Sequence, residues 1–249
     1  METLNLFTPT LAIFFTIFLL IYLIAYFVLC HNWGPKNIAE ATSCVISLVH
    51  GTPAVLLALN ALTKSHMPLS SFASPNTNSQ NIVLDYSIAY FLVDLIHYIV
   101  FFPTDILFIS HHLATLYVFM TCRFVVHHGA SALLVLLVLA EATSLCQNVW
   151  SLACLKKAYA PAALKLYDFL SPRFYVFYTV FRVVLGPLFV LKMVVFYLSG
   201  AADTSTPKWA WISWMVVIST AIFVSMLWIL NHWIEWFREK RLVQKVKQK

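Results

Sequence analysis

Seven stretches of near-continuous apolar sequence decide what this 249-residue chain can become. They fall near 9–30, 39–62, 82–102, 106–126, 130–151, 174–199 and 209–237. At about 1.5 Å of rise per residue, each is long enough to cross roughly 30 Å of hydrocarbon. Backbone amides find no water there, so such runs fold as helices that close their own hydrogen bonds. The runs are continuous and not alternating, which excludes a transmembrane β-barrel. Composition agrees: 61% of residues are hydrophobic and only 10% charged, against about 25% charged in a soluble domain. The expected fold is all-α, a polytopic membrane protein of about seven transmembrane helices.

Basic residues set the orientation. With the C-terminus in the cytosol, eleven Lys and Arg flank the cytosolic ends, among them Lys36, Lys156, Lys157, Lys165 and Arg173. Only Lys64 and Lys208 fall on the other side, and Arg123, Arg182 and Lys192 lie within spans. The formal charge of +6 is therefore a topology signal, and no nucleic-acid module accompanies it. The amino terminus, METLNLFTPTLAIFF, lacks a positive n-region and a cleavage site, so the first span reads as a retained helix. Lys245 and Lys247, fifth and third from the end, resemble a dilysine-type retrieval signal of the endoplasmic reticulum. An ordinary solvated basic tail explains them equally well.

Ionisable groups inside a bilayer are expensive and usually mark a site or a buried pair. Asp94 and His97 are three residues apart, so they share a face of the third helix. A short turn at Pro103 makes the fourth helix its antiparallel neighbour, and that helix carries His111 and His112. Glu141 and Asn148 on the fifth span and Arg182 on the sixth lie at comparable depth. These seven residues predict an internal polar cavity opening towards the cytosolic leaflet.

Three readings of that cavity stand. Histidine can act as general base or acyl acceptor, with Asp94 fixing its tautomer. Three histidines and a carboxylate can bind iron or zinc, although the HxxxH and HxxHH boxes of membrane di-iron enzymes are absent. Asp94 or Glu141 can pair with Arg182 simply to hold helices together. His50, one turn from Pro53, reads as a packing residue beside a kink. Trp209, Trp211 and Trp214 read as a lumenal belt, and the five cysteines as small core residues. No GxSxG, P-loop or GxGxxG is present, so hydrolase and nucleotide readings have no support and no cofactor is implied.

The stretch from Ala89 through Tyr90 and Asp94 to Ile96, then His111-His112-Leu113-Ala114-Thr115, then Ala140-Glu141-Ala142-Thr143 with Asn148, resembles the TLC domain. This is the family of TRAM, the longevity-assurance ceramide synthases and a neuronal ceroid lipofuscinosis protein. The resemblance extends over roughly residues 40–240 and is closest to small plant TLC-domain proteins. It divides the chain into an N-terminal helix and turn (1–38), the domain (39–240) and a basic tail (241–249).

The resemblance implies six helices around a lipid-accessible cavity plus one extra helix, in the endoplasmic reticulum or another endomembrane. It implies lipid handling, with membrane lipids as partners and acyl-CoA as a candidate substrate. Ceramide synthases use the histidine pair in acyl transfer, which places His111 and His112 in catalytic roles with Asp94 and Glu141 as acids. His97, Asn148 and Arg182 would then contact substrate. Ceramide synthases also carry a His-Asp and a further Asp where this chain reads Ala140-Glu141-Ala142-Thr143-Ser144. Other family members are associated with lipid composition or cargo transport, and a non-enzymatic lipid-binding or cargo-export role is the alternative.

Overall fold

The computed structural model describes residues 8–65 and 71–247, with side chains up to 241. Seven helices in it are long and apolar enough to cross a membrane. We number them α1 (Pro9–Leu29), α2 (Ile38–Lys64), α3 (Asn78–Phe101), α4 (Ile106–Val126), α5 (Ala130–Lys156), α6 (Pro161–Leu198) and α7 (Lys208–Arg241). The α7 helix continues to Lys247. The side chains of Lys245 and Lys247, and Lys249 as a whole, lie outside the described residues, as do Met1–Phe7.

Residue pairing fixes the helix directions. Ser43, Ser47 and His50 of α2 meet Asp94, Tyr90 and Ser87 of α3 in turn, an antiparallel register. Asp85 and Asp94 of α3 meet Arg123 and His112 of α4, again antiparallel. Phe18 and Tyr22 of α1 meet Tyr90 and His97 of α3, so α1 runs parallel to α3. Around the bundle, α2 touches α3 and α5, α3 touches α4, α5 touches α6, and α7 closes against both α6 and α4. Helices α2–α7 therefore form a ring of six, and α1 packs outside it on α3 and α2.

Burial identifies the hub. Two-thirds (67%) of the central window of α3 is buried, against 17% for each of α1, α6 and α7. Its start is set by a capping box, with Thr77 and Gln80 each satisfying the other's backbone amide. That turn lies four residues before the apolar run that marks the span in the sequence, because its polar residues hide it. Similarly, α6 begins at Pro161 and not near 174, since Lys165, Asp168 and Arg173 lower the hydropathy of turns that remain helical. Trp214 departs from the expected belt: it is 1% exposed and its indole N–H donates to Thr121 Oγ1 at 2.8 Å.

At the end opposite the basic tail, Arg123 of α4 binds Asp85 of α3 through both Nε (2.9 Å) and Nη2 (3.3 Å). The hydroxyls of Thr8 and Thr10 at the start of α1 donate to the same carboxylate. Three helices are thereby tied at one point. Asn76, before α3, donates to Cys122 O and accepts from Ala130 N, pinning the α4–α5 turn, where Gly129 adopts φ +93°.

Replacing one partner of this pair strands a charge in the membrane. Asp85→Leu is expected to cost about 3–5 kcal/mol, read as a lower thermal unfolding midpoint in detergent. Asp85→Leu with Arg123→Met should recover most of the loss; a single variant as stable as the wild type would refute the assignment.

Candidate functional site

Asp94 is the centre of the polar cluster. It is 2% exposed and projects from α3 between α2 and α4. Its Oδ1 accepts from Ser43 Oγ at 2.9 Å, and its Oδ2 accepts from the Tyr90 hydroxyl at 3.3 Å. His112 Nε2 lies 2.8 Å from Oδ2. The other nitrogen of His112, Nδ1, is 2.8 Å from Phe108 O. A carbonyl oxygen only accepts, so Nδ1 carries a hydrogen. One proton then sits between Nε2 and Asp94, and the pair is neutral as a unit whichever atom holds it. Both ring nitrogens of His112 are engaged, and the ring is 4% exposed.

His111 occupies the opposite condition. No hydrogen bond reaches its ring among the described residues, and it faces a cleft bounded by α4, α5, α6 and α7. The mouth of that cleft, about 380 Å³, runs past Leu107 and Phe108 of α4, Gln147 of α5, Tyr178 of α6 and Ser225 and Trp228 of α7. A deeper chamber of about 130 Å³ continues past Phe91, Phe119, Leu133, Leu137 and Ile222. His111 and Arg182 line both parts, and Glu141 lines the deeper one. The cleft is thus an apolar space with three ionisable side chains at its waist.

Irregular backbone makes that waist. Helix α5 breaks at Ala142-Thr143, which releases Ala140 O from its helical partner. Arg182 Nη2 donates to this oxygen at 2.9 Å, and Thr143 Oγ1 donates to it at 3.2 Å. Across from the break, α6 widens into a π-helical segment, Thr179–Leu185, that carries Arg182. Such segments occur frequently at functional sites. Arg182 Nε is buried with no hydrogen-bond partner, and no carboxylate lies within 4.0 Å of the guanidinium among the described residues. The helix-tying pair of Arg182 with Asp94 or Glu141 is therefore not what the structure shows; Asp94 is spent on His112.

The comparisons with known proteins bear on this arrangement. The TLC domain family matches residues 40–233. A TLC domain-containing protein of Arabidopsis thaliana is 58% identical over 235 residues, covering 94% of this chain and 92% of that protein. The chain belongs to the TLC domain family. No solved structure matches it.

Within the TLC domain, the structure brings together His111, Glu141 and Arg182 at the cleft, and Asp94 with His112 directly behind His111. The two histidine rings lie 5.7 Å apart, edge to face. His97 is turned away: its Nδ1 meets the Tyr22 hydroxyl of α1 at 2.9 Å, outside the family match. Asn148 bonds back to Ser144 O and Oγ on its own helix. Ser43, Ser47, His50 and Tyr90, which complete the cluster around Asp94, were not singled out for the site by sequence reasoning. Their signal was present in the spacing: 43, 47 and 50 lie on one helical face, as do Tyr90 and Asp94.

The two neighbouring histidines should separate on mutation. His112→Ala removes a doubly bonded buried ring and leaves Asp94 short of a partner, costing about 1.5–3 kcal/mol in thermal stability. His111→Ala should stay within about 0.5 kcal/mol of the wild type. Equal stability losses would contradict the division between a buried and a cleft-facing imidazole.

Proposed function

We propose that this TLC domain protein binds an acyl-chain lipid in the α4–α7 cleft and transfers an acyl group there, with His111 as the base. The observation that carries this reading is a ring free of hydrogen bonds, at the waist of an apolar cleft, facing a guanidinium with an unpartnered Nε. The apolar chamber suits a hydrocarbon chain, and the guanidinium suits a carbonyl oxygen that gains negative charge. His112 and Asp94 act behind His111 as positioning residues.

The chemistry follows from that placement. His111 takes the proton of the acceptor's amine or hydroxyl as the acceptor's lone pair bonds to the thioester carbonyl carbon of an acyl-CoA. The carbonyl oxygen, now an anion, faces Arg182. Collapse breaks the carbon–sulfur bond, and the thiolate leaves with the proton from His111. Acylated lipid and free thiol result, and His111 returns to its neutral form. The basic end of the bundle lies in the cytosol on this reading, where acyl-CoA is available, and the membrane is that of the endoplasmic reticulum.

A second reading has support of its own. In the α5 run where ceramide synthases carry a His-Asp and a further Asp, Ala140, Ala142 and Thr143 flank Glu141, so the cleft holds fewer acids than in those enzymes. In this reading the protein binds lipid, or a membrane client, without chemistry.

Untargeted lipidomics on cells producing wild type or His111→Ala at equal membrane levels decides between them. Acyl transfer predicts a lipid class that rises only with the wild type, by about 10²-fold or more in rate with purified protein. Equal lipid profiles would refute it and leave lipid binding.

A further inference from the structure

His50 is the most deeply buried ionisable ring outside the proposed chemistry, at 0% exposure in the middle of α2. It stacks flat on Tyr90, with centroids 4.0 Å apart and planes 7° from parallel. Its Nε2 meets Ser87 Oγ at 3.2 Å. Its Nδ1 is buried with no hydrogen-bond partner, and the nearest carboxylate oxygen to it is Glu141 Oε2 at 3.9 Å. A buried polar atom without a partner is costly, so native structures rarely leave one without a role.

The backbone beside His50 is shaped around the same carboxyl. A Cβ on Gly51 would stand 2.9 Å from Glu141 Oε2 and 2.6 Å from Ser144 Oγ. Only glycine allows α2 to approach the break in α5 this closely. Glu141 therefore sits between two surroundings: the cleft with His111 and Arg182 on one side, and His50 with Gly51 on the other.

We propose that His50 is a positioning residue for the cleft and acts through Glu141, with Gly51 supplying the space. With its proton on Nδ1, His50 donates to Oε2 once the carboxyl turns to close the 3.9 Å gap, and Ser87 Oγ–H donates to Nε2. Stacking on Tyr90 prevents the ring from turning away. This matters to the reaction because His111, on taking a proton, becomes a second cation beside Arg182. A carboxyl held at the chamber wall offsets that charge where little water does so. Asp94 cannot serve, since its carboxylate is engaged with His112.

The inference rests on the proposed acyl transfer for its consequence, not for its contact, and the two are tested separately. The contact is read by infrared spectroscopy of the purified protein in nanodiscs, without substrate. The Glu141 carboxyl band is the one lost in Glu141→Gln. It should shift in His50→Phe, which keeps the stack on Tyr90 but has no N–H, and return towards the wild-type position in His50→Asn, which restores a donor. Gly51→Ala should shift it as well. A band unmoved by His50→Phe, or a shift that His50→Asn does not reverse, overturns the proposal whatever the activity. If His50→Phe does not fold, His50→Leu takes its place with the same reading.

The consequence is read by acyl transfer from a long-chain acyl-CoA to a sphingoid amine or a lysolipid. His50→Phe should lower kcat about 10–100-fold with KM within about twofold, and His50→Asn should recover much of the loss. An unchanged kcat overturns the positioning role. Absence of transfer by the wild type refutes the proposed reaction, and the infrared result then stands alone for the contact.

Discussion

The pairing of Asp94 with His112 is the constraint around which the rest of the bundle is arranged. A membrane helix with a carboxylate in its middle needs every lone pair of that carboxylate matched within the protein. Asp94 achieves this by drawing on three helices: Ser43 from α2, Tyr90 from α3 itself and His112 from α4. The same demand recurs one end of α3 to the other, at Asp85 with α1 and α4 and at His97 with α1. Polar matching and not hydrophobic burial selects which helices touch α3, since lipid is as apolar as any helix face. That explains why α3 is the most buried span although its mean hydropathy, 1.5, is lower than that of most of the others.

With the α2–α4 side of the ring fixed in this way, the α4–α7 side is free to be loose. The α4–α7 seam is sparse, and the irregular segments of α5 and α6 face each other at the cleft. The break in α5 and the π segment in α6 each release backbone oxygen or alter side-chain phase, and Arg182 bridges them through Ala140 O. In lipid, irregular backbone is tolerated only where protein or a cavity receives it. The cleft is thus a consequence of where the helices are allowed to be imperfect. Gly51 shows the opposite case on the tight side, where α2 presses against α5 without the room for a methyl group.

The number and type of helices were legible in the sequence because a span announces itself by length and apolarity alone. Helix ends were less so. Asn78–Gln80 and Pro161–Arg173 form regular helix from polar sequence, which hydropathy reads as loop. For the site, Asp94 and the histidine pair were visible because charge in a membrane run is conspicuous. The division of labour between His111 and His112 was not, since adjacent residues differ by about 100° around a helix and nothing in the sequence states which one faces α3. His97 shares a face with Asp94 in projection yet faces α1, because the i, i+3 offset of about 60° is enough to change neighbours. A carboxylate partner was one of the readings open for Arg182; the structure gives it a carbonyl, freed by a helix break that no residue motif marks.

These two histidines also indicate how a TLC bundle can keep an imidazole free at a cleft without losing stability. His112 cannot both hold the buried carboxylate and stay free to accept a proton, because Nε2 is engaged with Asp94 and Nδ1 with Phe108 O, which leaves neither nitrogen open. Two imidazoles in sequence divide the tasks. His112, locked on both nitrogens, stabilises the ring of helices and fixes the turn of α4 on which His111 stands. His111, one residue earlier, points about 100° away into the cleft, whose lining includes Arg182 and Glu141.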